Sequence, residues 1–295
     1  MADIHLIDGE KGGVGKSLFC RTLLHYWLTN DGLKQKPVLF DTDPSRKDVE
    51  NFYKSQLKCG DAHFSEDNEK LVAADSIFQT ALFGEPVVVN LGAGVYQVIS
   101  DWIRLNGLIE LGEMAGDSQA MKSSPVFQAF FDSAQSDESD NTLDGEDKSA
   151  DNDSDSRQLS KVRFFKWFVS SGQTDSIEPF RQSLREFGND IPHIFVKNHY
   201  LYDDDQWDTI MSDLQSELSN YNVKVISLGR LLKVDLKQIL DNLLTFEQAV
   251  EDSELQLMQR QRIYMFCNQA ISEIDSVFNE LINNGNKGKK GKKAA

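Results

Sequence analysis

The chain has 295 residues, 40% of them hydrophobic, and a formal net charge of −16 at pH 7. That is ample for one large α/β core, and the three widely spaced cysteines, Cys20, Cys59 and Cys267, argue for free thiols in a reducing compartment, against a disulfide framework or a zinc site. The amino terminus lacks the charged and apolar regions of a signal peptide, and no run approaches the ~18–20 apolar residues of a membrane span, so a soluble cytoplasmic protein is expected.

Apolar runs alternate with helical patterns, which is the mark of βαβ units and a mainly parallel sheet flanked by helices. In chain order the patterns predict strands at about 3–8, 37–42, 86–91, 162–169, 192–197 and 223–228. Helices are predicted at about 16–30, 46–58, 74–83, 94–106, 176–187, 204–219 and 232–243, with a long final helix over roughly 247–282. In that last helix Ile263, Cys267, Ile271, Ile274, Phe278 and Leu281 recur every three or four residues and share one face. Packing on the sheet is the first reading of that face, and a partner or membrane-surface helix the second.

Residues 107–131, including "SSPVFQAFF", read as an irregular or helical insertion near the active face. Residues 132–160 read as an acidic, disordered insertion, because so few apolar groups cannot offset the entropy of ordering. Within it, 132–157 carry ten acids against Lys148 and Arg157. The last eleven residues, "GNKGKKGKKAA", hold five lysines and no acid, and 284–295 read as a basic disordered tail. The rest, 1–283, is expected to be one domain, and charge so unevenly placed says little about its folded body.

The chemistry begins at "DGEKGGVGKSLFC", residues 8–20, between the apolar run "IHLI" and an amphipathic segment. A glycine-rich turn from a buried strand into a helix exposes consecutive backbone N–H groups at the positive end of the helix dipole, a socket for phosphate oxygens. Gly12, Gly13 and Gly15 let the backbone close around the phosphates, with Val14 and Leu18 completing the loop. Lys16 would reach the β- and γ-phosphates and the Ser17 hydroxyl would ligate Mg²⁺. Glu10 stands where the strict G-x-x-x-x-G-K-[ST] pattern requires its first glycine.

"KGGVGKS" resembles the deviant Walker motif of the ParA/MinD group of P-loop ATPases. The resemblance implies an ATP-sandwiched homodimer in which Lys11, the signature lysine, crosses the interface to the partner's nucleotide while Lys16 acts in its own subunit. A second cation supplied in trans can neutralise charge on the transferred phosphoryl, as an arginine finger does. The next motif, "PVLFDTDPSRKD", is similar to the group's D-x-D-P segment. By that resemblance Asp41 would orient the attacking water or reach the metal shell, Asp43 would respond to the γ-phosphate, and Pro44 onwards would form a switch region. On the residues alone, Asp43 or Ser45 could instead cap the following helix.

The third motif departs from the group, with Asn90 in "PVVVNLGAG" where an aspartate usually holds Mg²⁺ through water. An amide oxygen can accept from a metal-bound water but brings no charge, so slow hydrolysis or binding alone remain open. Gly92 and Gly94 still permit a switch loop. Asn198, beyond the run "IPHIFVK", resembles the group's base-recognition asparagine, with a plain loop asparagine as the competing reading. The segment near Gly229 and Arg230 would line the same pocket.

The resemblance covers about 1–100 and 160–245 and implies ATP and Mg²⁺ as cofactors. It is nearest to ParA-like proteins of plasmid partition, mobilisation or conjugative transfer, where ATP favours a dimer that binds a surface and hydrolysis releases it. The lysine tail would suit nonspecific DNA, and an adaptor protein is expected but unidentified. Membrane contact is not expected, because the terminus is lysine and glycine and not an apolar anchor. The alternatives are a nucleotide-binding interaction protein with little hydrolysis, marked by Asn90, and a P-loop synthetase acting on a metabolite.

Overall fold

Short runs such as "VVVN" and "HIFVKN" are buried on both sides, the condition of inner strands in a parallel sheet covered by helices. In a computed structural model the strands form one seven-stranded parallel sheet in the order β3-β2-β4-β1-β5-β6-β7. They are β1 (Ala2–Asp8), β2 (Val38–Asp41), β3 (Cys59–Gly60), β4 (Val87–Asn90), β5 (Val162–Ser170), β6 (His193–Asn198) and β7 (Lys224–Leu228). The structure describes residues 1–282 apart from 10, 34, 44–46, 66–71 and 131–158, and the side chains of 281 and 282 are likewise left aside.

Side chains alternate between the two faces. On one, His5, Ile7, Phe165, Trp167, Ile194 and Ile226 meet helix α1 (Lys16–Thr29) and the long helix Leu257–Val277 in a continuous apolar layer. On the other, Ile4, Leu6, Val87, Val89 and Phe164 pack against the helices Asp75–Leu82 and Tyr96–Leu105. A separate cluster of Phe168, Phe180, Phe195 and Trp207 lies beneath the helices Thr174–Phe187 and Asp204–Asn220. Because all strands run the same way, their carboxyl ends share one edge, and β1 lies there between β4 and β5. Ligands of open parallel sheets bind at this edge.

The six expected strands are present, with three differences elsewhere. The helix expected over 46–58 is, among the described residues, one turn at Glu50–Tyr53, and Cys59–Gly60 then adds the short edge strand β3 beside Leu39 and Phe40. Two residues are too few to leave a periodic pattern. The final helix is broken into Phe246–Glu251, Leu257–Val277 and a π-helical turn at Phe278–Ile282. Local side chains mark the break: Thr245 and Gln248 cap the start of the first piece reciprocally, the Asp252 carboxylate accepts from the Glu254 N–H beyond its end, and Gln259 Oε1 accepts from the Gln256 N–H at the start of the second. Such side-chain bonds compete with a continuous helix.

Thirdly, the insertion after residue 107 forms the helices Leu108–Met114 and Ser118–Ser123 and a further helical stretch at 125–130. They sit against the amino-terminal end of β5, where Gly112 abuts Val162 and Glu113 pairs with Lys161 at 2.7 Å. That is the edge opposite the glycine loop, not the active face. Leu159 is already buried there. The acidic stretch 131–158 and the lysine-rich tail lie outside the described residues. No described helix is long and apolar enough to cross a membrane.

Candidate functional site

Residues 9–15 connect β1 to α1 at the carboxyl edge, and their backbone follows from which residues are glycine. Gly13 and Gly15 have φ of +81° and +104°, which a side chain would strain. A Cβ on Gly15 would also lie 2.5 Å from the Asn198 amide nitrogen, whereas around Gly12 and Gly13 the space is open. Among the described residues no side chain caps the start of α1. The first amides of that helix lack intrahelical partners, as in any α-helix, and an anion can satisfy them.

Lys16 opens α1 and is 8% exposed. Its ammonium donates to the carbonyl of Gly9 at 2.5 Å and to that of Lys11 at 3.2 Å. Phosphate oxygens would accept from the same ammonium and pair with its charge. Val14 is buried beneath the loop, and its carbonyl accepts from the Asn198 side chain at 2.7 Å. Leu18 packs at the margin of the apolar layer.

The two acidic-motif strands end beside the loop. Asp41 and Asn90 are register partners on β2 and β4, and both are almost fully buried. Asn90 Nδ2 donates to Asp41 Oδ1 at 2.9 Å and lies 3.5 Å from Ser17 Oγ. Asp41 Oδ2 accepts from the N–H groups of Val49 and Glu50 at 2.7 and 3.1 Å. Asp41 therefore holds the start of the helical turn, the part that the alternative sequence reading offered to Asp43 or Ser45. Asp43 is half-buried one residue beyond Thr42, whose hydroxyl donates to the Asn90 carbonyl. Ser45 is not among the described residues.

Mg²⁺ fits this donor set. Ser17 Oγ and the Asp41 carboxylate are oxygen donors of the kind it takes. Among the described residues Asn90 Oδ1 is buried with no hydrogen-bond partner, and a metal-bound water would satisfy it.

Asn198 uses both ends of its amide within the chain, since Oδ1 accepts from the Tyr200 N–H at 3.1 Å. Lys11 points sideways from the loop, donating to Gln173 Oε1 at 2.8 Å and Asp175 Oδ2 at 2.5 Å. The structure thus gathers Lys16, Ser17, Asp41 and Asn90 at one place, and joins Asn198 to the loop from β6.

Sequence reasoning missed the layer beneath. Asp8, the last residue of β1, accepts the Gly9 N–H at 2.6 Å and pairs with the wholly buried Lys166 at 2.9 Å. Lys166 also donates to Ser183 Oγ, and Ser183 lies 2.8 Å from His193 Nε2. His193 Nδ1 donates to the Ile191 carbonyl at 2.7 Å, so Nε2 is the acceptor for the serine hydroxyl. Burial and the nearby Lys166 push the His193 pKa down to about 3, which keeps it neutral in this chain of donors. Burial opposes the ionised form of Asp8, yet Lys166, the Gly9 amide and Lys16 hold its pKa below the ordinary value. The one sequence signal was a charged residue, Lys166, inside the apolar run "VRFFKWFVS".

No family model matches the chain, and no curated protein sequence matches it. Among solved structures it is similar to the MinC:MinD cell division protein complex of Aquifex aeolicus, over 92% of this chain and 97% of that one, at 10% identity and a TM-score of 0.38.

Proposed function

We propose that the chain is an ATP-binding switch protein of the ParA/MinD kind, a homodimer with ATP at its interface that hydrolyses ATP to release the dimer. The observation that carries this reading is the convergence of Lys16, Ser17, Asp41 and Asn90 on an uncapped helix start at the carboxyl edge of a parallel sheet. Loop amides and Lys16 would bind the phosphates, and Ser17, Asp41 and Asn90 would hold Mg²⁺ directly or through water. Mg²⁺ would supply charge neutralisation across the β- and γ-phosphates.

Asp41 is already engaged by Asn90 and two backbone amides, so its part is to fix geometry at the metal shell. Asn90 would orient a water by its free oxygen, and Asp43 would stand near the γ-phosphate. Asn198 supports the loop from below, and base recognition by its amide would require exchange of its present partners. The process we assign is DNA partition, mobilisation or transfer, with the lysines of residues 287–293 contacting DNA phosphates without sequence preference and a separate adaptor protein supplying the cargo.

The test is ATP turnover with and without duplex DNA, for the natural chain and for Lys16→Ala. DNA-stimulated turnover that vanishes in the variant is the expected result. Tight ATP binding with no turnover under any condition would favour a static nucleotide-binding interaction protein. The specific observation for that second reading is Asn90, which donates to Asp41 where the resemblance implies a second carboxylate.

A further inference from the structure

We infer that Asp175, together with Gln173, is a positioning residue that seats Lys11 within its own subunit and so sets how readily the dimer forms. The inference rests on the switch reading above, in which Lys11 acts on the partner's nucleotide. One ammonium cannot be held by its own chain and reach across an interface at the same time. Here it is held twice, by Gln173 Oε1 at 2.8 Å and Asp175 Oδ2 at 2.5 Å.

Both acceptors come from the entry to the helix Thr174–Phe187, and that entry is fixed from within. Ser170 Oγ and Ser176 Oγ lie 2.8 Å apart, Ser176 Oγ donates to the Gln173 carbonyl at 2.8 Å, and the Gly172 N–H donates to Ser170 Oγ at 3.1 Å. Ser170 and Ser176 are fully buried, and Gly172 takes the left-handed conformation. The clasp is therefore preorganised, with little left to order when the lysine arrives. An acid in a first helical turn is explained by the helix dipole alone. The dipole gives no reason for the Gln173 amide to turn its oxygen to the same ammonium.

The clasp is also linked to the phosphate site, because the Lys11 carbonyl accepts from the Lys16 ammonium. Drawing Lys16 onto phosphates would remove that bond and loosen the segment carrying Lys11. Nucleotide binding in one subunit would thereby favour release of the lysine destined for the other.

The test measures dimer dissociation constants by sedimentation velocity with a non-hydrolysable ATP analogue and Mg²⁺, on the full chain and on Asp175→Ala, Asp175→Glu, Lys11→Ala and Lys11→Ala/Asp175→Ala. The acetylation rate of the Lys11 amine without nucleotide, read by mass spectrometry, reports on the clasp directly. An exposed pair of this kind is worth about two- to fivefold in an equilibrium constant. Two clasps open per dimer, so Asp175→Ala should tighten the dimer about 4- to 25-fold and speed acetylation, while Asp175→Glu restores both and, in the Lys11→Ala background, Asp175→Ala brings no tightening. An unchanged or weaker dimer in Asp175→Ala, while Lys11→Ala still weakens the dimer, would overturn the clasp and leave the switch reading standing. Absence of any analogue-dependent dimer in the natural chain would overturn both.

Discussion

The two faces of the sheet solve the same burial problem differently. Beneath α1 and the long helix the layer is apolar and aromatic, and the polar groups within it sit against rings: Arg21 lies over Phe52 and Phe246, and His5 is stacked between Phe165 and Phe278 and bonded to Trp167 Nε1. The opposite face is interrupted. Between the Trp102 cluster and the Phe180 cluster runs the charged chain Asp8, Lys166, Ser183 and His193. A buried ion pair seldom adds stability over an apolar replacement, so its position is the informative part. It lies directly under the glycine loop, and Asp8 fixes the Gly9 amide whose carbonyl receives Lys16. One face holds the fold together, and the other also aims the loop.

Lys166→Met should produce the largest effect, because it strands the Asp8 carboxylate in the core. We expect about 3–5 kcal/mol of lost stability in equilibrium urea unfolding. Most of it should return in the double variant with Asp8→Asn. A small loss in the single variant would mean the two faces differ less than their contacts indicate.

On the aromatic face, burial pushes the His5 pKa down to about 4. The folded chain keeps His5 neutral while the unfolded chain takes up a proton below about pH 6.5, so this stability is present above that pH and is lost as the pH falls towards 4. The loss should be about 3 kcal/mol over that window. His5→Phe should flatten the corresponding part of a pH–stability profile measured by urea titration. An unaltered slope would place the acid sensitivity at His25 or His193, whose shifts have the same sign.

Asn90→Asp would put a second carboxylate beside Asp41 at a present separation of 2.9 Å. We expect a destabilisation of about 1–3 kcal/mol at neutral pH without Mg²⁺, vanishing as the pH falls through the carboxylate range. Added Mg²⁺ should reverse part of it, which thermal melts with and without the ion would detect. The smallest effect is expected for Thr245→Ala, which removes the cap of the short helix Phe246–Glu251 at about 1 kcal/mol. Stability measured by urea unfolding would check it.

Much of the fold was legible because strand patterns repeat locally. Runs such as "VVVN" or "VRFFKWFVS" announce buried strands from a handful of neighbouring residues. What failed was either too short to repeat, as at Cys59–Gly60, or decided by a competing local bond, as at Thr245 and Gln256. At the site, the glycine loop with Lys16 and Ser17 could be read because its residues are contiguous. Asp8 with Lys166, and Lys11 with Asp175, are more than 150 positions apart, and no spacing rule pairs them.

By itself, the sequence determined the alternation of strand and helix, the glycine-rich turn from a buried strand into a helix, and the amide side chain at position 90. These are local consequences of side-chain chemistry and glycine's backbone freedom. The tertiary structure alone decided which partner each charge took. Closing the sheet brought β5 beside β1 and carried the helix at Thr174 to the loop, and a buried or clasped ammonium must be matched by whatever acceptor the fold delivers.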